Sequence, residues 1–367
     1  MIKIGLDKFV SACPKELEGA RIGLVAHPAS TTMVDGQRKH AVEILQNNPS
    51  LNLLRLFGPE HGLYGHAVEG QTISDTVDGV SGLPVISLYG NRRAPEPEHL
   101  ADIDILFFDL QDIGTRCFTY ISTLKYCMQA VQAANKKLLV LDRPNPLGRG
   151  VFGGMVEAGF ESFISKLNIP FVHGLTMAEV ALFLAKEMSF ENLIIIKMDN
   201  WQGQAWDKTG LEWQTPSPSI TSFEIAKAYP ISVFLEGTNL SEGRGTDLPF
   251  LQFGATWLNN KALAEYLNSK NLGISFSEVN FVPSRSKLVG EQVNGLKMAF
   301  LDNYNPVEIA FWILHTIKEL GPTKLEFLKS GDRYFIDLLF GSSLLRESLT
   351  NTKWQNITVD FQTELIY

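Results

Sequence analysis

Short apolar runs, each closed by a polar turn, recur along the first 200 residues of the chain. They fall at 21–26, 51–57, 83–89, 105–108, 137–141 and 193–198, with the length and texture of strands buried on both faces. Pro84 is compatible with a strand only near its start or at an edge. Helical patterns lie between the runs: 37–46, stopped by Asn47-Asn-Pro49; an apolar-periodic stretch reaching about Ala134; and 176–188. In the last, Thr176 as N-cap and Glu179 three residues on form a capping box. Alternating strands and helices predict parallel βαβ units with right-handed crossovers, an α/β fold. Residues 64–82, rich in Gly, Asp, Ser and Thr, read as a long loop, and 233–235 as a last short strand. From about 256 the pattern changes to a helix near 260–268, strands near 274–282 and 296–300, and a helix at 306–320. Asn305 is the N-cap of that helix, with Pro306 at its first position. The chain thus divides into a larger unit, 1–250, and a smaller one, 251–367.

Three of the polar turns carry candidate chemistry. Gly58-Pro-Glu-His-Gly62 follows the second run; a carboxyl held at a partly desolvated strand end can work as a general acid, so Glu60 is a candidate acid or a turn carboxylate. His61 beside it hydrogen-bonds Glu60, lines a cleft or packs. After the run at 105–108 come Asp109, Gln111, Asp112 and Arg116, ahead of the apolar-periodic stretch, in a segment that ends at Tyr120. Asp112 is an N-cap or a ligand-facing carboxyl. Arg116 suits a bidentate carboxylate, a ligand's or that of Asp112, and its charge argues against a divalent metal between the two aspartates. The third turn, 236–245, holds Glu236, Thr238, Asn239, Ser241, Arg244 and three glycines. It matches neither a phosphate loop, a dinucleotide fingerprint nor a Gly-x-Ser-x-Gly elbow. Trp201, Trp206 and Trp213 either clamp the 199–221 segment or stack on a sugar ring.

Composition narrows the classes. A chain of 367 residues with 45% hydrophobic and 20% charged residues and net charge −8 has an ordinary globular profile. The acidic balance, without a basic stripe, argues against a nucleic-acid partner. Cys13, Cys117 and Cys127 show no Cys-x-x-Cys spacing, so neither a disulfide framework nor a thiolate metal site is indicated. No run reaches membrane-spanning length, and none at the start has the apolar core of a signal peptide. As written, the chain reads as cytoplasmic; one trimmed of a signal peptide would read the same and be periplasmic or secreted.

Five segments in order resemble the exo-β-N-acetylmuramidases, a bacterial family formerly catalogued as a domain of unknown function. They are Phe57-Gly-Pro-Glu-His-Gly62, 108–120, Leu141-Asp-Arg-Pro-Asn-Pro-Leu-Gly148, 206–213 with Pro216-Ser-Pro218, and 236–246. The resemblance implies a Rossmann-like, mostly parallel sheet domain, a smaller α+β C-terminal domain and a cleft between them. It also implies cofactor-free hydrolysis that releases N-acetylmuramic acid from the non-reducing ends of peptidoglycan fragments. The family's catalytic Glu carries over to Glu60, and Asp109, Gln111, Asp112 and Arg244 carry over as cleft lining. His27 stands where relatives commonly have Asn. The second carboxyl is expected from Glu236 or Asp112. The expected substrate contacts are His27, His61, Asp109, Gln111, Arg116, Tyr120, Asn239 and Arg244, with Arg244 or Arg116 meeting the lactyl carboxylate and Asn239 or Gln111 the acetamido group. The alternatives are an esterase or amidase acting on a cell-wall substituent, and a non-catalytic amino-sugar-binding module.

Overall fold

The computed structural model describes residues 2–65, 67, 70–71, 73–350, 357, 359 and 361–367. In chain order its first part runs α1 (Gly5–Ser11), β1 (Ala20–Ala26), the hairpin β2 and β3 (Thr31–Val34, Gln37–His40), α2 (Ala41–Gln46), β4 (Leu51–Gly58), β5 (Thr76–Val77), β6 (Pro84–Ser87), α3 (Pro97–Leu100), β7 (Ile105–Asp109), α4 (Tyr120–Ala133), β8 (Lys137–Leu141), α5 (Met177–Met188) and β9 (Leu193–Ile196). Seven of these strands form one sheet in the order β5-β6-β4-β1-β7-β8-β9, parallel throughout except for the two-residue edge β5. The six apolar runs are its six parallel strands, and Pro84 is the first residue of β6.

Both faces are covered, which is why the runs show no polar alternation. Leu24, Leu56 and Phe107 pack under α1 and α2 with Leu6, Phe9, Val42 and Leu45. Their neighbours Val25, Phe57 and Phe108 point to the opposite face, against Ile121, Leu124 and Met128 of α4 and Val180 and Leu184 of α5. The capping box of α5 is present, with Glu179 N donating to Thr176 Oγ1 and Thr176 N to Glu179 Oε2 at 2.9 Å.

The second part comprises α6 (Phe223–Ser232), β10 (Gln252–Ala255), α7 (Asn260–Ser269), β11 (Ile274–Phe281), β12 (Val293–Phe300), α8 (Pro306–Leu320) and α9 (Phe335–Phe340). Its sheet is antiparallel, ordered β10-β12-β11, and α8 packs on α6 and α7. Asn305 caps α8 through Oδ1, which accepts from Val307 N and Glu308 N. The two parts share a core: Phe171 stacks on Phe234 at 4.6 Å and lies 6.0 Å from Phe340.

Two expected elements differ. Residues 37–46 do not form one helix; 37–40 pair with 31–34 as a hairpin, and the helix begins at Ala41. Asp35 and Gly36, at φ 53° and 76°, make the left-handed two-residue turn that an Asp-Gly pair favours. Residues 233–235 are not a strand but part of a 3₁₀ turn, Val233–Gly237, that continues α6. Such a short buried apolar run carries no periodicity that tells strand from helix. The 64–82 segment is mostly irregular; its residues 66, 68, 69 and 72 lie outside the described residues.

The strand order reverses between β1 and β7, the point at which open α/β sheets usually bind ligands. Here buried protein groups occupy it. His27 and Asp109, both 0% exposed, close the ends of these strands together with Gln111. The open cleft lies beside them, beyond β4 and β6.

Candidate active site

A cavity of about 440 Å³ opens between the carboxyl ends of β4 and β6, the start of α4, and the 236–250 and 286–287 segments of the second part. That volume is within the range of small-molecule sites. Glu60 reaches it because β4 ends at Gly58, whose Cα hydrogens face the backbone of Gly62 and Leu63; a Cβ there would sit 2.9 Å from Leu63 N. The turn is tight, and His61 itself has φ 70°. Glu60 Oε2 accepts from Thr119 Oγ1 at 2.7 Å, and the Tyr89 phenol stands beside the same carboxyl. His61 lines the cavity and turns Nδ1 to the Ala67 carbonyl at 3.0 Å.

The facing wall is built from charge. Glu236 accepts from Arg244 Nε at 2.7 Å, and Arg244 Nη1 donates to Ser219 Oγ at 2.8 Å. The Arg244 guanidinium also lies 4.6 Å from the centre of the Phe250 ring. Glu242, 1% exposed at its side chain, sits between Lys287 Nζ at 2.8 Å and Arg244 Nε at 3.8 Å. Burial pushes the Glu236 carboxyl up from the ordinary range; Arg244 opposes the shift and Glu242 adds to it. Lys287 is spent on this wall, since Nζ also donates to the Leu235 and Thr238 carbonyls.

Lys287 arrives on the loop between β11 and β12, which docks on the Gly243-Arg244-Gly245 turn. Ser284 N donates to the Gly245 carbonyl at 2.9 Å, and a Cβ at Gly245 would sit 2.5 Å from Arg285 N. Gly245 thus admits a neighbouring loop, and Gly243 approaches the Gln252 carbonyl. Arg285 Nη2 meets Ser219 Oγ at 3.1 Å. Tyr89, Thr119, Ser219, Glu242 and Lys287 were not singled out from sequence. Thr119 and Glu242 lie inside the segments 108–120 and 236–245, Ser219 directly follows Pro216-Ser-Pro218 and Tyr89 ends the run at 83–89, whereas Lys287 stands outside all of them.

Of the residues expected here, the structure brings together Glu60, His61, Tyr120, Glu236 and Arg244. Tyr120 contributes its ring, with the hydroxyl donating to the Pro216 carbonyl at 2.7 Å. The others lie elsewhere, each with local work. Arg116, 0% exposed, donates to the carbonyls of Gly154, Ile169 and Phe340, binding the two parts together, and its burial lowers the guanidinium pKa to about 10. It is not placed to read a substrate carboxylate or to pair with Asp112. Asp112 caps the turn at Gly114 N, 2.6 Å away, and meets His173 at 3.2 Å, neither heading α4 nor reaching the cleft. Asp109 forms a buried ion pair with Arg143 at 2.5 and 2.9 Å. Gln111 donates to the Asp112 and Pro144 carbonyls, and its own N–H reaches His27 Nε2 at 3.0 Å. His27 is buried, which drives its pKa well down; it joins two strand ends. Asn239 is tied to the backbone of Lys324 and Glu326, outside the cavity. Trp206 and Trp213 pack edge to face at 5.0 Å and Trp201 against Tyr367, so these rings clamp the segment. Among the described residues, Glu96, Glu98 and His99 have metal-ligand spacing, but they lie on α3, away from the cleft, where His99 Nδ1 accepts from Glu96 N.

Family models for exo-β-N-acetylmuramidase NamZ match the chain at both ends, the N-terminal model over residues 22–224 and the C-terminal one over 227–366. The chain belongs to the exo-β-N-acetylmuramidase NamZ family. The peptidoglycan β-N-acetylmuramidase NamZ of Bacillus subtilis (strain 168) is 38% identical over 371 residues, covering 99% of this chain and 88% of that protein. Two crystal structures of DUF1343 family proteins from Bacteroides fragilis NCTC 9343 are similar. One has TM-score 0.84 at 37% identity over 95% of this chain and 91% of its own, the other TM-score 0.72 at 27% over 96% and 92%. The α/β architecture with its second, antiparallel part is thus that of the NamZ family. The two family models meet between 224 and 227, some residues before the division expected at 250. Glu60 therefore falls in the NamZ N-terminal model, and Glu236, Glu242, Arg244 and Lys287 fall in the C-terminal one.

Proposed function

We propose that this protein is a glycosidase, an exo-β-N-acetylmuramidase that releases N-acetylmuramic acid from the non-reducing ends of peptidoglycan-derived saccharides in cell-wall turnover and recycling. One observation carries the reading: two carboxyls, Glu60 and Glu236, line a single cavity in a chain of the NamZ family. In this reading Glu60, held by Thr119, protonates the oxygen of the departing sugar. Ionised Glu236 supplies the second carboxyl that glycoside hydrolysis usually employs, stabilising charge at the anomeric carbon. Because burial raises Glu236, activity climbs with pH as this group loses its proton. Arg244, beside Glu236 and in the cavity wall, meets the lactyl carboxylate. His61 and Tyr120 flank the sugar.

The test is product identity. Incubation with a saccharide bearing an N-acetylmuramyl group at its non-reducing end should yield free N-acetylmuramic acid, seen by mass spectrometry. Release of acetate or a peptide instead would make the protein an esterase or amidase. Binding without turnover would make it an amino-sugar-binding module.

A further inference from the structure

The cleft contains a phenol that the reaction as described does not explain. Strands β4 and β6 pair Gly58 with Ser87, and Leu88 N donates to the Gly58 carbonyl at 2.8 Å. Glu60 and Tyr89 therefore each stand two residues beyond the same rung, side by side at the carboxyl end of the sheet. Tyr89 is fixed there from several sides. Its backbone N–H and carbonyl both engage Ser87 Oγ, at 3.3 and 3.1 Å. Its ring lies 6.0 Å from Phe163, and the Arg93 guanidinium stands 5.4 Å above it. From the third side Thr119, just ahead of α4, donates to Glu60 Oε2. The Glu60 carboxyl thus accepts from one hydroxyl, that of Thr119, and has a second, the Tyr89 phenol, beside it from a separate element, both in the wall of the cavity.

We propose that Tyr89 is the positioning residue of Glu60: its phenol donates to the carboxyl and, with Thr119, holds it in one orientation toward the cleft. The inference rests on the assignment of Glu60 as the acid. A hydroxyl that donates to a carboxylate favours the ionised form, so removing it lets the acid keep its proton to higher pH. Other groups act on this site: Glu236 and Arg93 through Tyr89, Tyr120 at the start of α4, and His61 next in the chain. None of them is altered by removing the phenol oxygen. Burial and the neighbouring Glu60 raise the Tyr89 phenol pKa, so it stays a donor throughout the working range.

The experiment compares wild type, Tyr89→Phe and Thr119→Val, with Thr119→Ser as the conservative control, on a muramyl disaccharide between pH 4 and 9. Thermal unfolding checks that each variant is folded. The expected result for Tyr89→Phe is a fall in kcat of roughly tenfold with KM little changed, and a descending limb of the pH profile displaced upward by about one unit. Thr119→Val should behave similarly and Thr119→Ser should recover. In a Glu60→Gln background, Tyr89→Phe should cost nothing further. A rise in KM with kcat and limb unchanged would make Tyr89 a sugar contact, and a fall with an unmoved limb would make it merely structural; either overturns the proposal. If Glu60→Gln itself keeps full activity, the assignment of the acid fails. If Glu60→Gln is inactive and Tyr89→Phe is unaffected, only this inference fails.

Discussion

Replacing Arg244 by alanine should separate two effects that the structure superimposes at one guanidinium. The first is shared by all substrates. Arg244 Nε is bonded to Glu236 at 2.7 Å, and the ion pair opposes the upward push of burial on that carboxyl. Without it Glu236 should hold its proton to higher pH, so the ascending limb of the pH profile moves up for every sugar. The second effect belongs to muramic acid alone, because only that sugar brings a lactyl carboxylate. A hydrogen bond to a charged group contributes on the order of 1.5–3 kcal/mol, which corresponds to about tenfold to a hundredfold or slightly more in preference. The assay is kcat/KM for a nitrophenyl N-acetylmuramide and for the matching N-acetylglucosaminide, each at its own pH optimum. The shared loss cancels in the ratio, and the ratio should fall by at least tenfold in Arg244→Ala. An unchanged ratio would refute lactyl recognition by Arg244, however large the loss on both substrates.

Arg116→Met should destabilise the fold by roughly 3–5 kcal/mol in urea unfolding, since three buried carbonyls lose their donor, while leaving the preference ratio of the folded fraction intact; a stable variant with altered preference would contradict its structural placement. Gly245→Ala should cut activity strongly, because the new Cβ meets Arg285 N at 2.5 Å at a φ of 80° and displaces the loop carrying Lys287; wild-type rates would contradict that packing. Asp142, buried beside Thr176, Ala178 N and Tyr367, has its pKa raised by burial to about 6. The folded state then binds the proton better than the unfolded chain, so stability from this group is present below about pH 4 and is lost as pH rises to about 6, on the order of 3 kcal/mol in all. The stability gap between wild type and Asp142→Asn should accordingly narrow from pH 4 to pH 7 in thermal unfolding, and a constant gap would remove the assignment.

Buried strands were readable because sandwiched parallel strands must be apolar on both faces, and Leu24-Val25 and Phe107-Phe108 each serve two cores at once. Caps were readable too, since Thr176 with Glu179, and Asn305 with Pro306, act locally. Polar groups were harder. Asp109, Asp112 and Arg116 have the residue types and turn setting of a catalytic cluster, yet their partners are Arg143, His173 and the Phe340 carbonyl, 34, 61 and 224 residues away. Nothing in the local pattern tells a charge that serves a ligand from one that closes a distant buried pair. The same distance hid Lys287, which joins the cleft on the β11–β12 loop that docks on Gly245. Glu60, His61, Glu236 and Arg244 were legible because each stands in a glycine-bounded turn behind an apolar run that the fold aims at one cavity.

Whether Glu60 protonates the departing sugar is tested most directly by Glu60→Gln, with two leaving groups measured side by side. On a muramyl disaccharide, whose sugar leaving group needs the proton, turnover should fall by roughly 10²–10⁴ while the unfolding midpoint stays near wild type. On a nitrophenyl muramide, whose leaving group departs with little help, the fall should be much smaller. Near wild-type release of N-acetylmuramic acid from the disaccharide by Glu60→Gln would contradict the assignment outright.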